Sequence, residues 1–398
     1  MKVCFYFQVH QPMRLAPFSV FAPSKDDSLF NRYFDEALNR QILDKVARKC
    51  YLPTNALLLD ALEKNPDLHL SFSTTGVFLE QARLYQPEVI DSFRALARTG
   101  RVEFLSETYY HSLSSLFEEK KEFEEQVALH RTAISDFTTL QPKVFRNTEA
   151  MFSNDIAYWA ERMGYHGIMA EGLDQLLSWR APTYAYSVKG CNSIKALLRH
   201  YKLSDDIGYR FSNKSWNEWP LTADKYARWL SGLQGDCVNL FMDYETFGEH
   251  HWEDTGIFEF LRSLFGEISK APNLEFATPG QIATGLETRG EVDAPSIITW
   301  ADNERDTSAW LGNDMQRACF SELTALEKPV KALNDPDVTR AWRHLQNSDH
   351  LYYCCTKSLS DQDVHNYFSP YESPFESFIN YMNILQDLKA QVKARSKK

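Results

Sequence analysis

Short apolar runs alternate with amphipathic helical patterns through the first two-thirds of the chain. We predict strands at residues 3–9, 68–73, 102–106, 143–147, 166–170, 194–198 and 238–243. We predict helices between them, among others at residues 77–99, 117–137, 153–163 and 222–233. Because strands alternate with helices, the sheet should be parallel, and about seven such units favour a closed or nearly closed barrel in an α/β fold.

The final third changes character, because helical patterns continue there without convincing strands. We predict helices at residues 306–326, 337–346 and 374–392. The last begins with Ser373-Pro374-Phe375-Glu376, a capping box with proline at the first helical position. The pattern therefore predicts a barrel over residues 1–285 and a C-terminal helical region over residues 286–398 that packs on the barrel and contributes to its cleft.

Charge and cysteine content exclude some classes of protein. The 398 residues carry 43 Lys and Arg against 54 Asp and Glu, and this surplus of acid argues against nucleic acid as a partner. No apolar run reaches the length of about 20 residues that a membrane span needs. Seven cysteines, an odd number, favour reduced thiols and a cytoplasmic location.

Aromatic residues make up 14%, which is compatible both with a large core and with flat faces for an amphipathic ligand.

Polar residues follow the predicted strands, where a parallel barrel carries its active site. They are His10, Thr74, Glu107, Glu149, Glu171, His200 and Asp243. Glu149 and Asp243 each end an apolar run abruptly, and Arg146 precedes Glu149 by three positions. Two carboxyl groups in different environments are what glycoside hydrolysis requires, although each could instead cap a helix or pair with an arginine.

A metal site is a weaker interpretation of the histidines. His250 and His251 are adjacent, so their side chains diverge in most backbones, and no ligand pattern typical of zinc is present. We therefore predict neither a metal nor another cofactor. Several tryptophans fall in or beside predicted loops, where their faces could stack on sugar rings. They are Trp216, Trp219, Trp252, Trp300 and Trp310.

Five segments together resemble glycoside hydrolase family 57, in particular its α-amylases. The segments are HQP at residues 10–12, GRVEF at 100–104 running on to ETYYH at 107–111, FRNTE at 145–149, FMDYETFGEH at 241–250, and WADNERDTSAWLGN at 300–313. The resemblance implies an incomplete parallel (β/α)7 barrel followed by a helical region. It also implies a retaining enzyme that needs no metal and acts on an α-glucan or maltooligosaccharide.

The resemblance further implies roles for individual residues. Glu149 would be the nucleophile and Asp243 the general acid/base. The remaining site residues would bind sugar hydroxyls or rings around the cleaved bond, and they are His10, Glu103, Glu245, Asp306 and Trp310. We expect Asp243 to be the more desolvated acid, with its pKa raised by Glu245, and we expect Arg146 to keep Glu149 ionised. Tyr244 is expected to line the sugar cleft.

Other activities remain open on the sequence. A 4-α-glucanotransferase or branching enzyme would use the same covalent intermediate and resolve it with a sugar hydroxyl. A metal-dependent polysaccharide deacetylase or α-mannosidase would need an aspartate where Pro12 stands. A non-catalytic glycan-binding protein would not need both carboxylates. The oligomeric state is not predicted.

Overall fold

The strands of the protein form one sheet. The structure, a computed structural model, describes residues 1–19, 28–139, 141–357 and 369–397. Within these residues the strands are β1 (Lys2–Val9), β2 (Leu70–Thr74), β3 (Val102–Phe104), β4 (Val144–Phe145), β5 (Gly167–Glu171), β6 (Ala185–Val188), β7 (Lys195–Arg199), β8 (Cys237–Asp243), β9 (Glu275–Phe276) and β10 (Thr288–Val292). The prediction of an α/β fold with a mostly parallel sheet is confirmed.

Parallel pairing brings the carboxyl ends of seven described strands to one edge. β1 pairs with β2 and β8, β2 pairs with β3, β7 pairs with β8 and β5, and β5 pairs with β4. A parallel bridge from Ser106 to Phe145 links the chain after β3 to β4. Three further strands were not predicted by the sequence pattern. Of these, β6 is antiparallel to β7 and pairs in parallel with β10, and the short β9 pairs in parallel with the start of β1.

Helices connect the strands and continue beyond them. The described α-helices of the first part are α1 (Leu29–Tyr33), α2 (Glu36–Val46), α3 (Leu52–Lys64), α4 (Gly76–Tyr85), α5 (Pro87–Arg98), α6 (Lys121–Phe137), α7 (Asn154–Arg162), α8 (Asp174–Leu177), α9 (Tyr201–Gly208), α10 (Ala223–Ser231), α11 (Ile257–Ser269) and α12 (Pro279–Gly285). Those of the C-terminal part are α13 (Ser308–Leu311), α14 (Asp314–Ala325), α15 (Glu327–Leu333), α16 (Pro336–Leu345), α17 (Ser348–Tyr352) and α18 (Pro374–Arg395).

Two predicted helices are each divided in the structure. The stretch 77–99 breaks before Pro87, because proline cannot donate the backbone hydrogen bond of a helix interior. The stretch 306–326 breaks at Asn313, whose side chain accepts a hydrogen bond from the backbone N–H of Gln316 and so begins α14. Both breaks are local effects of single residues within an otherwise helical pattern.

The core has an inner cluster between the strands and larger clusters outside them. The inner cluster joins side chains of the parallel strands with α12, and its members include Cys4, Tyr6, Leu105, Val144, Met169, Leu197, Phe241, Ile282 and Ala283. An outer cluster combines β4, β5 and β7 with the C-terminal helices. This shared packing holds α17 at the carboxyl edge of the strands, where it reaches the site described below.

Two further expectations concern the chain as a whole. Within the described ranges, no helix combines the length and apolar character needed to cross a bilayer. All seven cysteines are free thiols. Six of them are buried and Cys191 is half-buried.

Candidate active site

Glu149 lies at the carboxyl edge beyond β4 and is held at both carboxylate oxygens. Its Oε1 contacts His111 Nε2 at 3.2 Å and accepts a hydrogen bond from Ser348 Oγ at 3.0 Å. Its Oε2 accepts one from Trp300 Nε1 at 3.0 Å. The backbone of Glu149 is left-handed, with φ of 57°, a conformation that costs energy for a residue with a side chain. Strain and several donors at one carboxylate are typical of a functional residue.

His111 bridges Glu149 to Glu107, which is buried. Its Nδ1 lies 3.3 Å from Glu107 Oε2. Burial alone would lower the pKa of His111, but hydrogen bonds to Glu107 and Glu149 outweigh it and raise the pKa to about 9. The pKa of Glu149 is lowered because the hydrogen bond and charge of His111, with the charge of Arg146, outweigh its burial. Glu149 is therefore ionised at neutral pH.

Asp243 shows the opposite perturbation. It ends β8, and burial first, then the negative charge of Glu149, raise its pKa to about 6 against the cations Arg146 and Arg199. The predicted repulsion between Asp243 and Glu245 acts mainly on Glu245. Its pKa is raised to about 8 by burial and by the charge of Asp243, while the Tyr51 hydroxyl donates a hydrogen bond to it. Asp243 can therefore hold a proton close to neutral pH.

His10 joins the same cluster. Its Nδ1 lies 2.8 Å from Thr75 Oγ1 and its Nε2 lies 3.1 Å from Asp349 Oδ2. Its ring stacks on the ring of His111 with centroids 4.0 Å apart. Burial and the charge of His111 lower the pKa of His10, whereas the pKa of Asp349 falls to about 2 because hydrogen bonding and charge from His10 outweigh burial. Asp349 therefore carries a negative charge beside His10.

The C-terminal helices supply acids and donors that the sequence analysis missed. Asn347 caps α17, so that Ser348 and Asp349 in its first turn face Glu149 and His10. The prediction named Asp306 as the acid from this part of the chain. Asp306 is exposed and accepts a hydrogen bond from the backbone N–H of Ser308 at 2.8 Å at the start of α13, and its role in sugar binding stays a prediction. The cap pattern at Asn347 was the available signal.

The predicted aromatic platforms need correction. Trp310 is 1% exposed and packs in an outer core cluster, and Tyr244 is fully buried, so neither faces a cleft. Trp300, ten positions before Trp310, is the tryptophan that contacts Glu149. Trp219 and Trp252 are exposed at the surface, with 43% and 57% of their area accessible.

Glu103 is not brought to this cluster. Glu103 in β3 is paired with Ser71 of β2, which is paired with Tyr6 of β1. Asp243 is paired with Gln8, two positions farther along β1. At about 3.3 Å per residue this places Glu103 about 7 Å deeper. Its Oε2 accepts a hydrogen bond from the backbone N–H of Gly280 at 2.7 Å. Glu103 therefore holds the start of α12 beneath the site, contrary to the predicted role in sugar binding.

Two other residues predicted at strand ends, Glu171 and His200, form contacts within the protein. Glu171 pairs with Arg199 at 3.0 Å and with Arg305 at 3.2 Å. The ring of His200 accepts the backbone N–H of Leu203 at the start of α9. These contacts fix the loops around the site without placing either side chain against Glu149.

His251 uses both ring nitrogens within the protein. Its Nδ1 lies 2.6 Å from Ser212 Oγ and its Nε2 lies 3.0 Å from the carbonyl oxygen of Ile207. The described part of the chain contains no group of three or more His, Cys, Asp or Glu placed to hold a metal ion. Both ring nitrogens of His251 are therefore engaged by contacts within the protein.

The sequence matches a family model over the part that contains His10, Glu149 and Asp243. The model describes glycosyl hydrolase family 57 and matches residues 4–295. The chain belongs to glycosyl hydrolase family 57. It is 45% identical to a protein of Methanocaldococcus jannaschii named "Putative alpha-amylase", in an alignment that covers 99% of this chain and 85% of that protein. The family membership makes it an enzyme of the glycosidase class.

Solved structures of family 57 enzymes share the fold. The 4-alpha-glucanotransferase of Thermococcus litoralis superposes with a TM-score of 0.69 at 14% identity over 96% of this chain, which spans 59% of that enzyme. The branching enzyme of Thermococcus kodakaraensis also gives 0.69, at 12% identity over 97% of this chain and 89% of that enzyme. The alpha-amylase AmyC of Thermotoga maritima gives 0.60 at 12% identity, over 99% of this chain and 96% of that enzyme. At such identities the similarity shows the fold alone.

Proposed function

We propose that the protein is a retaining glycoside hydrolase that cleaves α-1,4-glucosidic bonds of α-glucans or maltooligosaccharides by double displacement. Glu149 is the nucleophile and Asp243 the general acid/base. The observation that carries the proposal is the opposite perturbation of two half-buried acids at one edge of the sheet, with the pKa of Glu149 lowered and that of Asp243 raised to about 6. The proposed frame is an incomplete (β/α)7 barrel over residues 1–285 with the helical region 286–398.

In the first step the carboxylate of Glu149 attacks the anomeric carbon. Asp243 gives its proton to the glycosidic oxygen, so the leaving chain departs with a new hydroxyl group and the enzyme carries a glycosyl ester. The donors on Glu149 orient it for this attack, and the three are His111, Ser348 and Trp300.

In the second step Asp243, now ionised, removes a proton from water, and the oxygen of that water attacks the anomeric carbon. The ester bond breaks and Glu149 leaves as a carboxylate. Two inversions at the same carbon restore the α configuration. His10, Glu245 and Asp349 surround this pair and are the side chains proposed to bind sugar hydroxyls.

The choice of an α-glucan is supported by the name of the M. jannaschii relative and by the family membership. Hydrolysis and transfer share the first step and differ in what attacks the ester. A product assay on a single maltooligosaccharide separates them, since hydrolysis yields only shorter chains and transfer also yields longer ones.

The roles of the two acids are tested with α-glucosyl fluoride, whose leaving group needs no proton. Glu149→Ala should lose at least about a thousandfold in kcat, and azide should restore turnover with formation of β-glucosyl azide, because the small anion takes the place of the nucleophile. Asp243→Ala with azide should instead give α-glucosyl azide, because azide attacks the glycosyl enzyme. Glu88→Gln, an exposed acid in the first turn of α5, is the matched control and should behave as wild type.

The stereochemistry decides the outcome. An α-azide from the Glu149 variant, or wild-type turnover in that variant, would refute the nucleophile. For the native enzyme, proton NMR of the first product formed should show the α anomer. A β anomer would refute retention.

A further inference from the structure

Trp300 is joined to Glu149 through both its side chain and its backbone. Its Nε1 donates to Glu149 Oε2 at 3.0 Å, and its backbone N–H lies 3.5 Å from the carbonyl oxygen of Glu149. The carbonyl oxygen of Trp300 accepts a hydrogen bond from Arg305, which also pairs with Glu171. Arg305, which is itself paired with Glu171, therefore holds the backbone of Trp300 while the indole contacts the proposed nucleophile.

The face of the same indole covers a buried cation. Arg146 is 1% exposed, and neither of its Nη atoms has a hydrogen-bond partner among the described residues. Its guanidinium carbon lies 4.7 Å from the centroid of the Trp300 ring, and that of Arg199 lies 5.8 Å away. A buried charge without hydrogen bonds is unfavourable, and an aromatic face compensates part of that cost. The Trp300 ring therefore stabilises the charge of Arg146 without forming an ion pair with it.

We propose that Trp300 is a positioning residue for the nucleophile, whose indole N–H fixes one carboxylate oxygen of Glu149 while its ring covers the guanidinium of Arg146. This inference rests on the proposed role of Glu149. The N–H holds the carboxylate in the orientation for attack. The ring leaves the charge of Arg146 available to both Glu149 and Asp243, since it shifts the pKa of each.

The charged and titratable groups around Glu149 are His111, Arg146, Asp243, Asp349 and Tyr352. Replacing Trp300 leaves all of them in the chain, so a change in the titration of Glu149 reports the lost donor. A hydrogen bond to a carboxylate favours its ionised form, so Trp300→Phe should raise the pKa of Glu149. We expect the acid limb of kcat/KM to move up by about one pH unit. We also expect kcat to fall about 10- to 100-fold with KM changed less than about threefold, because the interaction acts on the reacting group.

Trp310→Phe is the matched control. Trp310 lies in the same segment and is 1% exposed, and its Nε1 has no hydrogen-bond partner among the described residues. Phenylalanine there removes the same atoms from a buried site without removing a contact to Glu149. This variant should keep the wild-type pH profile even where its thermal stability falls.

Trp300→His tests the donor separately, because imidazole keeps a ring N–H in a smaller side chain. It should recover part of the shift seen with phenylalanine. If Trp300→Phe does not fold, Trp300→Leu carries the test, because it also removes the indole N–H. An acid limb at the wild-type pH in folded Trp300→Phe or Trp300→Leu would overturn the proposal, as would the same shift in Trp310→Phe. Neither result depends on azide rescue of Glu149→Ala, so failure of the proposed nucleophile would be recognised separately.

Discussion

The charge of His111 should contribute to stability as well as to the site, and His111→Asn isolates that charge. His111 has a left-handed backbone with φ of 51°, and asparagine tolerates this conformation better than most residues. Its amide can donate to one of the two acids that His111 bridges. The substitution therefore removes the cation while limiting backbone strain.

The magnitude follows from the pKa of His111. A rise from the ordinary value of 6.5 to about 9 corresponds to about 3 kcal/mol, at about 1.4 kcal/mol per unit. The lowered pKa of Glu107, about 2, reflects the same interaction and is not added to it. Because the pKa of the folded state is raised, this stability is present in full below pH 6.5 and is lost as the pH rises through 9.

Urea unfolding of wild type and His111→Asn at pH 6, 7.5, 9 and 10 measures the difference. We expect the variant to be less stable by about 3 kcal/mol at pH 6, with the difference shrinking steadily toward pH 10. His69→Asn is the control, because that histidine is only half-buried and its ring lies 2.9 Å from the carbonyl oxygen of Asp67, with no acid bridged by it as by His111 among the described hydrogen bonds. A difference between wild type and His111→Asn that is constant from pH 6 to pH 10 would refute a charged His111.

Three further substitutions test other features. Glu103→Ala should lower the free energy of unfolding by about 1–3 kcal/mol in urea titrations, because it leaves the backbone N–H of Gly280 unpaired, while kcat/KM stays within about threefold. Gly248→Ala should reduce soluble yield and Tm, because Gly248 has φ of 111° and an added Cβ would lie 2.0 Å from the carbonyl oxygen of Lys49. Glu245→Gln should change kcat/KM little at pH 6 and more above pH 8, because the pKa of Glu245 is raised to about 8 and the acid is already neutral at the lower pH.

The sequence predicts the acids at strand ends because this requires only local information. An apolar run that stops at a carboxylate marks the end of a strand, and parallel pairing then brings such ends to one edge. Glu149 and Asp243 meet this condition. In the structure they lie in one cluster, where the pKa of Glu149 is lowered and that of Asp243 is raised. Glu103 does not, because it lies within its strand. The sequence motif around an acid does not show how far along its strand the acid lies.

Contributions from the C-terminal helices depend on docking, which periodicity does not encode. The helix that begins after Asn347 was not predicted, and only the packing of that helix against the sheet brings Asp349 to His10, 339 positions earlier. Trp300 and Trp310 illustrate the same limit. Both are tryptophans of one segment, and α13 buries Trp310 while the preceding loop leaves Trp300 against Glu149. Composition could not distinguish them.

The two proposed catalytic acids share their cations, so charge alone does not separate their roles. Arg146 and His111 lower the pKa of both Glu149 and Asp243. Hydrogen bonds to Glu149 favour its ionised form, whereas the influences on Asp243 are burial and the charges of its neighbours. One of these is the charge of Glu149, which raises the pKa of Asp243. Once Glu149 is esterified in the proposed intermediate, that charge is gone and the pKa of Asp243 must fall, which suits the residue to act first as an acid and then as a base.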